Sequence, residues 1–293
     1  MKKSLSMLLS AAMCVGLLAG CGTTPAESAA PVEPSAAESA PVESAAPAAL
    51  SGSVATNGST SMEKVMGALI EGFKAAQPDV TVTYDETGSG AGIEAATNGS
   101  ADIGLASRAL KDEEKATLTE TVVAKDGIAM IVHPDNAVDD LTVEQVAQIA
   151  KGEITNWKDL GGADAEIAFI GREAGSGTRG AFEELTDTVD AVKYNQELTT
   201  TGAVITAVST TPGAIGYASL SSLNDTVKAV KIAGVECTEA TVLDGTYAIQ
   251  RPFVFATLTS GTLSPEAQAF YDFAMDPANA ELYTAAGVVP ANS

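Results

Sequence analysis

Three short stretches of the chain are built largely from glycine, serine and threonine, and each precedes a helical pattern. They read SVATNGSTS from Ser53 to Ser61, TGSGAG from Thr87 to Gly92, and GREAGSGTRG from Gly171 to Gly180. A helix N-terminus presents unpaired N–H groups and roughly half a positive charge. Glycine lets the main chain approach a ligand closely and hydroxyls add further donors, so such a turn suits an oxyanion. One such turn alone reads as ordinary helix capping. Three of them, the last with Arg172 beside it, favour convergence on a single oxyanion.

The elements that must position these turns alternate short β-branched runs with helical patterns, the signature of an α/β architecture. After the first turn Met62, Val65, Met66, Leu69, Ile70 and Phe73 recur at the helical period. Thr60 with Glu63 three residues on is a capping-box pattern, which places the helix start at Thr60 and Ser61. The second turn follows the alternating strand Val80 to Tyr84, and the third follows the strand Ile167 to Ile170 and leads into Ala181 to Leu185. Gly175 to Gly180 also satisfies GxGxxG, but it lies mid-chain behind Arg172 and Glu173 rather than in a first βαβ unit, so a dinucleotide site is set aside. No Walker A lysine, HExxH or GxSxG pattern occurs.

Composition narrows the classes further. The 293 residues carry 16 basic and 38 acidic side chains, for a net charge of −22, and 45% of them are hydrophobic. A phosphate-tracking surface needs clustered cations, so nucleic acid is excluded as a partner. A single histidine, His133, would have to serve any zinc site, Cys-His pair or Ser-His-Asp triad, which weakens most catalytic readings. His133 itself reads as a loop residue, Trp157 as structural and Tyr217 as packing.

Lys2 and Lys3 followed by the apolar run Leu5 to Leu18 form an export signal over residues 1–20, too short for a membrane span. Leu18-Ala19-Gly20-Cys21 closes it and resembles the bacterial lipobox, in which Cys21 becomes the first mature residue and carries the lipid. Acyl chains such as palmitate, two or more of them, then hold the protein to the membrane. From Gly22 to Leu50, 23 of 29 residues are Ala, Pro, Ser or Glu. Such a stretch has nothing to bury in return for its chain entropy, so residues 21–50 read as a disordered, extended tether. With Lys2, Lys3 and the four tether glutamates set aside, 14 basic and 34 acidic residues remain, a body of net charge −20. Its overall field repels anions, and capture must come from short, aimed hydrogen bonds. Cys237 is the body's only thiol and reads as a small buried apolar group.

At these residues the chain resembles the phosphate-binding lipoproteins that serve bacterial phosphate ABC importers. The motifs are GST at Gly58 to Thr60, GSGAG at Gly88 to Gly92, ADIGLASR at Ala101 to Arg108, GEITNWKDLGG at Gly152 to Gly162, REAGSGTRGAF at Arg172 to Phe182 and TPGAIGY at Thr211 to Tyr217. The resemblance implies an α/β, two-lobed type II periplasmic-binding-protein fold with two crossing hinge strands and ligand in the cleft. The apolar runs Gly127 to Val132 and Ile249 to Ala256 are the expected crossings. Lobe one is then 51–125 plus 250–293, and lobe two 126–249.

The resemblance also implies the phosphate contacts. These are Thr60 and Ser61 of the first turn, Ser89 of the second, Ser107 at a strand end, and Ser176, Gly177 and Thr178 of the third. Arg172 matches the arginine that forks onto phosphate oxygens, where planar donors fit two at a time. Gly90, Arg108, Glu173 and Arg179 are further candidates. One position departs from the pattern: many relatives follow the strand-end serine with an aspartate that accepts the proton of monohydrogen phosphate, and here Arg108 stands instead. Glu173 and Asp85 are candidate substitutes, and without an acceptor a site of donors separates phosphate from sulfate poorly.

The expectation is a non-enzymatic, monomeric receptor on the outer face of the cell membrane, without cofactor or metal. It captures inorganic phosphate and delivers it to the permease subunits of an ABC importer. The alternatives are a receptor for sulfate, molybdate or tungstate, an exported phosphoester hydrolase, or an adhesin or sensor on the same fold.

Overall fold

A computed structural model describes residues 50–291 of the chain. The export segment, Cys21 and the tether up to residue 49 lie outside the described residues. The first strands each feed a helix: β1 (Gly52–Gly58) leads to α1 (Glu63–Ala76), β2 (Val80–Asp85) to α2 (Ser89–Asn98), and β3 (Ile103–Ala106) to the single turn α3 (Asp112–Lys115). β1 pairs in parallel with both β2 and β3. The apolar stripe anticipated for the first helix is realised: Met62, Val65, Met66, Leu69 and Phe73 are buried. Phe73 meets Phe270 and Phe273 edge-on, at ring separations of 5.3 and 5.5 Å.

β4 (Leu118–Val132) is the longest element of the described chain. At about 3.3 Å per residue its 15 residues reach about 50 Å, enough to run through two layers of core. The chain then folds through β5 (Asp140–Leu141), α4 (Val143–Ala150), β6 (Ala168–Arg172), α5 (Gly177–Leu185), β7 (Gln196–Leu198), α6 (Thr201–Thr210) and β8 (Ala214–Ser219). The small elements β9 (Lys228–Ala229), β10 (Lys231–Ile232) and α7 (Glu239–Leu243) follow. β11 (Gln250–Leu258), α8 (Pro265–Met275), α9 (Ala280–Ala285) and β12 (Val289–Pro290) close the fold.

The strand order along the main sheet is β2-β1-β3-β11-β4-β8-β6-β7. Two parallel groups, β2-β1-β3 and β8-β6-β7, are thus joined by β11 and β4, which run antiparallel to each other and to their neighbours. β4 pairs with β11 from Leu118 to Gly127 and with β8 from Ile128 onward. The core divides at the same place: Val123 and Ala124 of β4 pack with Phe253 and Phe255, whereas Ile128, Met130 and Val132 pack with Ile249, Trp157, Phe169 and Phe182. The expected crossing strand began at Gly127, yet β4 starts nine residues earlier. The reason is physical: Thr119, Glu120 and Thr121 put polar side chains on both faces of the early strand, so only its doubly covered end reads as a continuous apolar run.

Close backbone approach fixes where α2 sits on β1. A Cβ added to Gly92 would run into the Asn57 carbonyl and lie 2.6 Å from Gly58 Cα. Gly92→Ala is therefore expected to destabilise the fold by about 1–3 kcal/mol, because backbone cannot rotate aside as a side chain can. Urea unfolding measures it, and a midpoint equal to the wild type would show that the helix shifts freely.

Candidate anion-binding site

The parallel strands bring their carboxyl ends to one crevice, the place where open α/β sheets hold ligands. β1 ends at Gly58, and Ser59 caps the next turn by accepting from the Ser61 amide at 3.3 Å. A short 3₁₀ turn over Thr60–Met62 then leads into α1. The expected Thr60–Glu63 capping box is not formed. The Thr60 hydroxyl is used elsewhere: it lies 3.1 Å from Thr201 Oγ1 and accepts from the Thr201 amide at 3.2 Å. Ser61 Oγ lies 2.9 Å from Thr178 Oγ1 and 3.0 Å from Thr201 Oγ1. Hydroxyls from beside the first parallel group therefore meet hydroxyls from beside the second.

The second and third turns face each other in the same way. Ser89 opens α2, and its Oγ accepts from the Ser107 amide at 3.1 Å, with Ser107 Oγ 3.3 Å away. Gly177 opens α5 and sits so close to this pair that an added Cβ would strike Ser89 and lie 2.9 Å from Ser107 Oγ. Ser176 caps α5, accepting from the Arg179 amide at 3.3 Å. The Gly90 amide donates to the Gly175 carbonyl at 2.9 Å, a main-chain bond across the crevice. Thr60, Ser61, Ser89, Ser107, Ser176 and Thr178 are all buried.

Arg172 ends β6 beside this cluster and is 2% exposed, so its charge is almost wholly withdrawn from water. Nη1 donates to Thr201 Oγ1 at 3.1 Å, Nη2 to the Thr199 carbonyl at 2.6 Å and Nε to the Leu198 carbonyl at 3.1 Å. Burial pushes the guanidinium down to about 10, and the positive charge of Arg251 works in the same direction. At neutral pH it still carries its proton, so a dehydrated cation stands at the end of β6. Tyr217 does more than the packing role expected of it: its hydroxyl accepts from the Arg172 amide at 3.1 Å and pairs with Tyr194 at 2.8 Å. Stacking on Phe182, with 4.4 Å between ring centres, holds that phenol in place.

The further candidates are placed differently. Arg108 forks onto Glu114, with both nitrogens at 2.8 Å, and Arg179 is taken by Glu183 and Glu197, each at 2.8 Å, while lying over the Tyr194 ring. Both cations are thus neutralised by structural carboxylates. Glu173 donates its amide to the Leu198 carbonyl, and its carboxylate faces the Gly88 edge of the second turn. Asp85 lies exposed at the end of β2. Among the others singled out, Trp157 is buried and donates from Nε1 to the Gly213 carbonyl at 2.8 Å, and His133 Nδ1 accepts from the Asp135 amide in its loop. Burial and the neighbouring Asp126 charge push the Cys237 thiol up to about 12.

Sequence reasoning passed over Thr201. It opens α6 with Thr200 as cap and touches Thr60, Ser61 and Arg172 at once. The signal was present as Thr199-Thr200-Thr201-Gly202, a fourth small polar turn before a helix. Thr201→Val keeps the volume and removes the hydroxyl. It is expected to weaken anion binding about tenfold, about 1.4 kcal/mol, with Thr201→Ser recovering most of the loss. Calorimetric titration checks this, and equal affinities for the Val variant and the wild type would remove Thr201 from the site.

The two parallel groups linked by crossing strands, with donors converging at the strand ends, define the class: a ligand-binding protein of the periplasmic-binding-protein type. The family model described as PBP superfamily domain matches residues 43–278. The phosphate-binding protein PstS of Borreliella burgdorferi is 32% identical over 217 residues, covering 70% of this chain and 78% of the relative. PstS of Bacillus subtilis is 33% identical over 205 residues, covering 68% of each. Among solved structures, one described as a phosphate ABC transporter substrate-binding protein with bound phosphate, from Clostridium perfringens, superposes with a TM-score of 0.78 at 40% identity. It covers 82% of this chain and 99% of the other. An ABC-type phosphate transport receptor from Vibrio cholerae gives a TM-score of 0.68 at 32% identity, covering 80% and 99%. The chain belongs to the PstS family of phosphate-binding proteins within the PBP superfamily.

Proposed function

We propose that this chain is an extracytoplasmic, lipid-anchored receptor that binds inorganic phosphate and delivers it to the permease subunits of an ABC importer. One observation carries the reading: the buried Arg172 guanidinium donates to the Thr201 hydroxyl, which lies against those of Thr60 and Ser61, with Thr178 bonded to Ser61, so hydroxyls from separate sides of the crevice are linked to one cation. The names of the relatives support phosphate as the ion. Two lobes, 51–125 plus 250–293 and 126–249, close on the ligand about β4 and β11. An ion bonded from both lobes favours the closed arrangement and shifts the population towards it.

The donors are N–H and O–H groups aimed inward, which suits capture and release of the ion. Seryl and threonyl oxygens also accept hydrogen bonds, so they can accept one from the hydroxyl of monohydrogen phosphate although Arg108 stands where the resemblance leads one to expect an aspartate. The receptor works as a monomer, without enzymatic turnover, and stays at the outer face of the membrane through acyl chains on Cys21. No helix among the described residues is long and apolar enough to cross a membrane. Calorimetric titration with phosphate and with sulfate tests the proposal. Tight, saturable phosphate binding is expected, with sulfate weaker. Preference for sulfate, or turnover of a chromogenic phosphoester, would overturn it, and loss of the chain from the membrane fraction on blocking lipidation tests the anchor.

A further inference from the structure

Below the crevice lies an ion pair that the phosphate contacts do not include. Asp126 of β4 and Arg251 of β11 have side chains 0% and 1% exposed. Arg251 donates to Asp126 Oδ2 from Nε at 3.1 Å and from Nη2 at 2.9 Å, and Ser219 Oγ donates to Oδ1 at 2.9 Å. Burial pushes the Asp126 carboxyl up and the Arg251 guanidinium down, and the opposite charge of each partner works against both shifts. Withdrawing two ions from water costs several kcal/mol for each, and well-packed apolar residues often serve stability as well or better. Stability alone therefore gives little reason for the pair.

Its remaining bonds lead to the anion site. Arg251 Nη1 donates to the Ser107 carbonyl at 3.1 Å, so the cation holds the turn whose amide and hydroxyl engage Ser89. On the other side Ser219 Oγ lies 2.7 Å from Ser221 Oγ, which approaches the Ser61 carbonyl at 3.4 Å. Each ion thus reaches the main chain of one donor turn. The positive charge of Arg251 is also felt at Arg172, which places it within electrostatic range of a bound ion.

We propose that Asp126 and Arg251 form a positioning pair for the anion site, in which Arg251 holds the Ser107 turn and supplies a positive field, and Asp126 steadies the Ser61 turn through Ser219 and Ser221 while cancelling that field. The balance of the two charges then sets the affinity for a dianion that neither residue touches. The proposal rests on the reading of Arg172 and its neighbouring hydroxyls as the phosphate site.

Two changes that each neutralise one charge, of opposite sign, test it on the full chain, titrated with inorganic phosphate at a pH where the dianion predominates. Asp126→Asn is expected to tighten binding by at least about threefold and Arg251→Gln to weaken it by at least about tenfold, with the double variant returning to within about threefold of the wild type. A pair that only braces the fold predicts that both single changes weaken binding. Weakening by both, or no change from either, overturns the proposal. Should either single variant lose its cooperative melting transition, the double variant decides: affinity near wild type supports the proposal and affinity as weak as that of Arg172→Ala overturns it. Arg172→Ala run alongside separates the two levels, because wild-type affinity there refutes the phosphate site itself, whatever the pair does.

Discussion

Replacing Arg172 with alanine is expected to weaken phosphate binding by about 2–4 kcal/mol, roughly 30-fold to 1000-fold, the cost of a lost charge-assisted fork in a dry site. Discrimination between ions should fall with it, since the remaining hydroxyls carry no charge. The same change takes the guanidinium donor from the Thr199 carbonyl, and one of several partners from the Leu198 carbonyl, which keeps the Glu173 amide, and from the Thr201 hydroxyl, which keeps Thr60 and Ser61. Stability should drop as well, by about 1–3 kcal/mol, because three charge-assisted hydrogen bonds are lost. Arg172→Lys keeps the charge and loses the planar fork, so its affinity should fall between the two. Titration calorimetry and thermal melting of the three proteins separate the effects, and phosphate affinity unchanged in Arg172→Ala would place the site elsewhere.

Gly177→Ala should have a comparable effect on binding with almost none on the unliganded fold. The new Cβ would strike Ser89, 2.8 Å from its own Cβ, only when the second and third turns are brought together. Gly177 has ordinary helical backbone at the first position of α5, where alanine is the better helix former. The expected result is an affinity loss of about 100-fold or more with a melting temperature close to wild type in phosphate-free buffer, because only the closed arrangement is obstructed. The rise in melting temperature on adding phosphate should shrink accordingly. A variant that binds phosphate as tightly as the wild type would show that the two turns need not meet.

Much of the arrangement was legible because local chemistry and tertiary role coincide. The glycine-rich turns announced α2 and α5, since a residue such as Gly177 must be small for the crevice and also opens a helix. The Met62 to Phe73 stripe was readable because a half-buried helix has a period. What escaped was set by partners distant in sequence. Thr60 looked like half of a capping box, but a hydroxyl 141 residues away competes for it, and Ser59 does the capping instead. Arg108 and Arg179 looked like spare cations for the cleft, and only the fold brings Glu114, Glu183 and Glu197 against them. Asp126 and Arg251 lie 125 positions apart, on strands whose pairing no local pattern encodes.

The main-chain bond from Gly90 to Gly175 ties the second donor turn to the third through protein groups alone. Such a bond favours the arrangement in which the turns meet whatever the cargo, and where that arrangement is only a fraction of the population, the observed dissociation constant is the intrinsic one divided by that fraction. Tuning can therefore occur at a main-chain bond between two turns as well as at the side chains around the cargo. The distance between dyes placed on either side of the crevice, followed one molecule at a time without phosphate, would report that fraction directly.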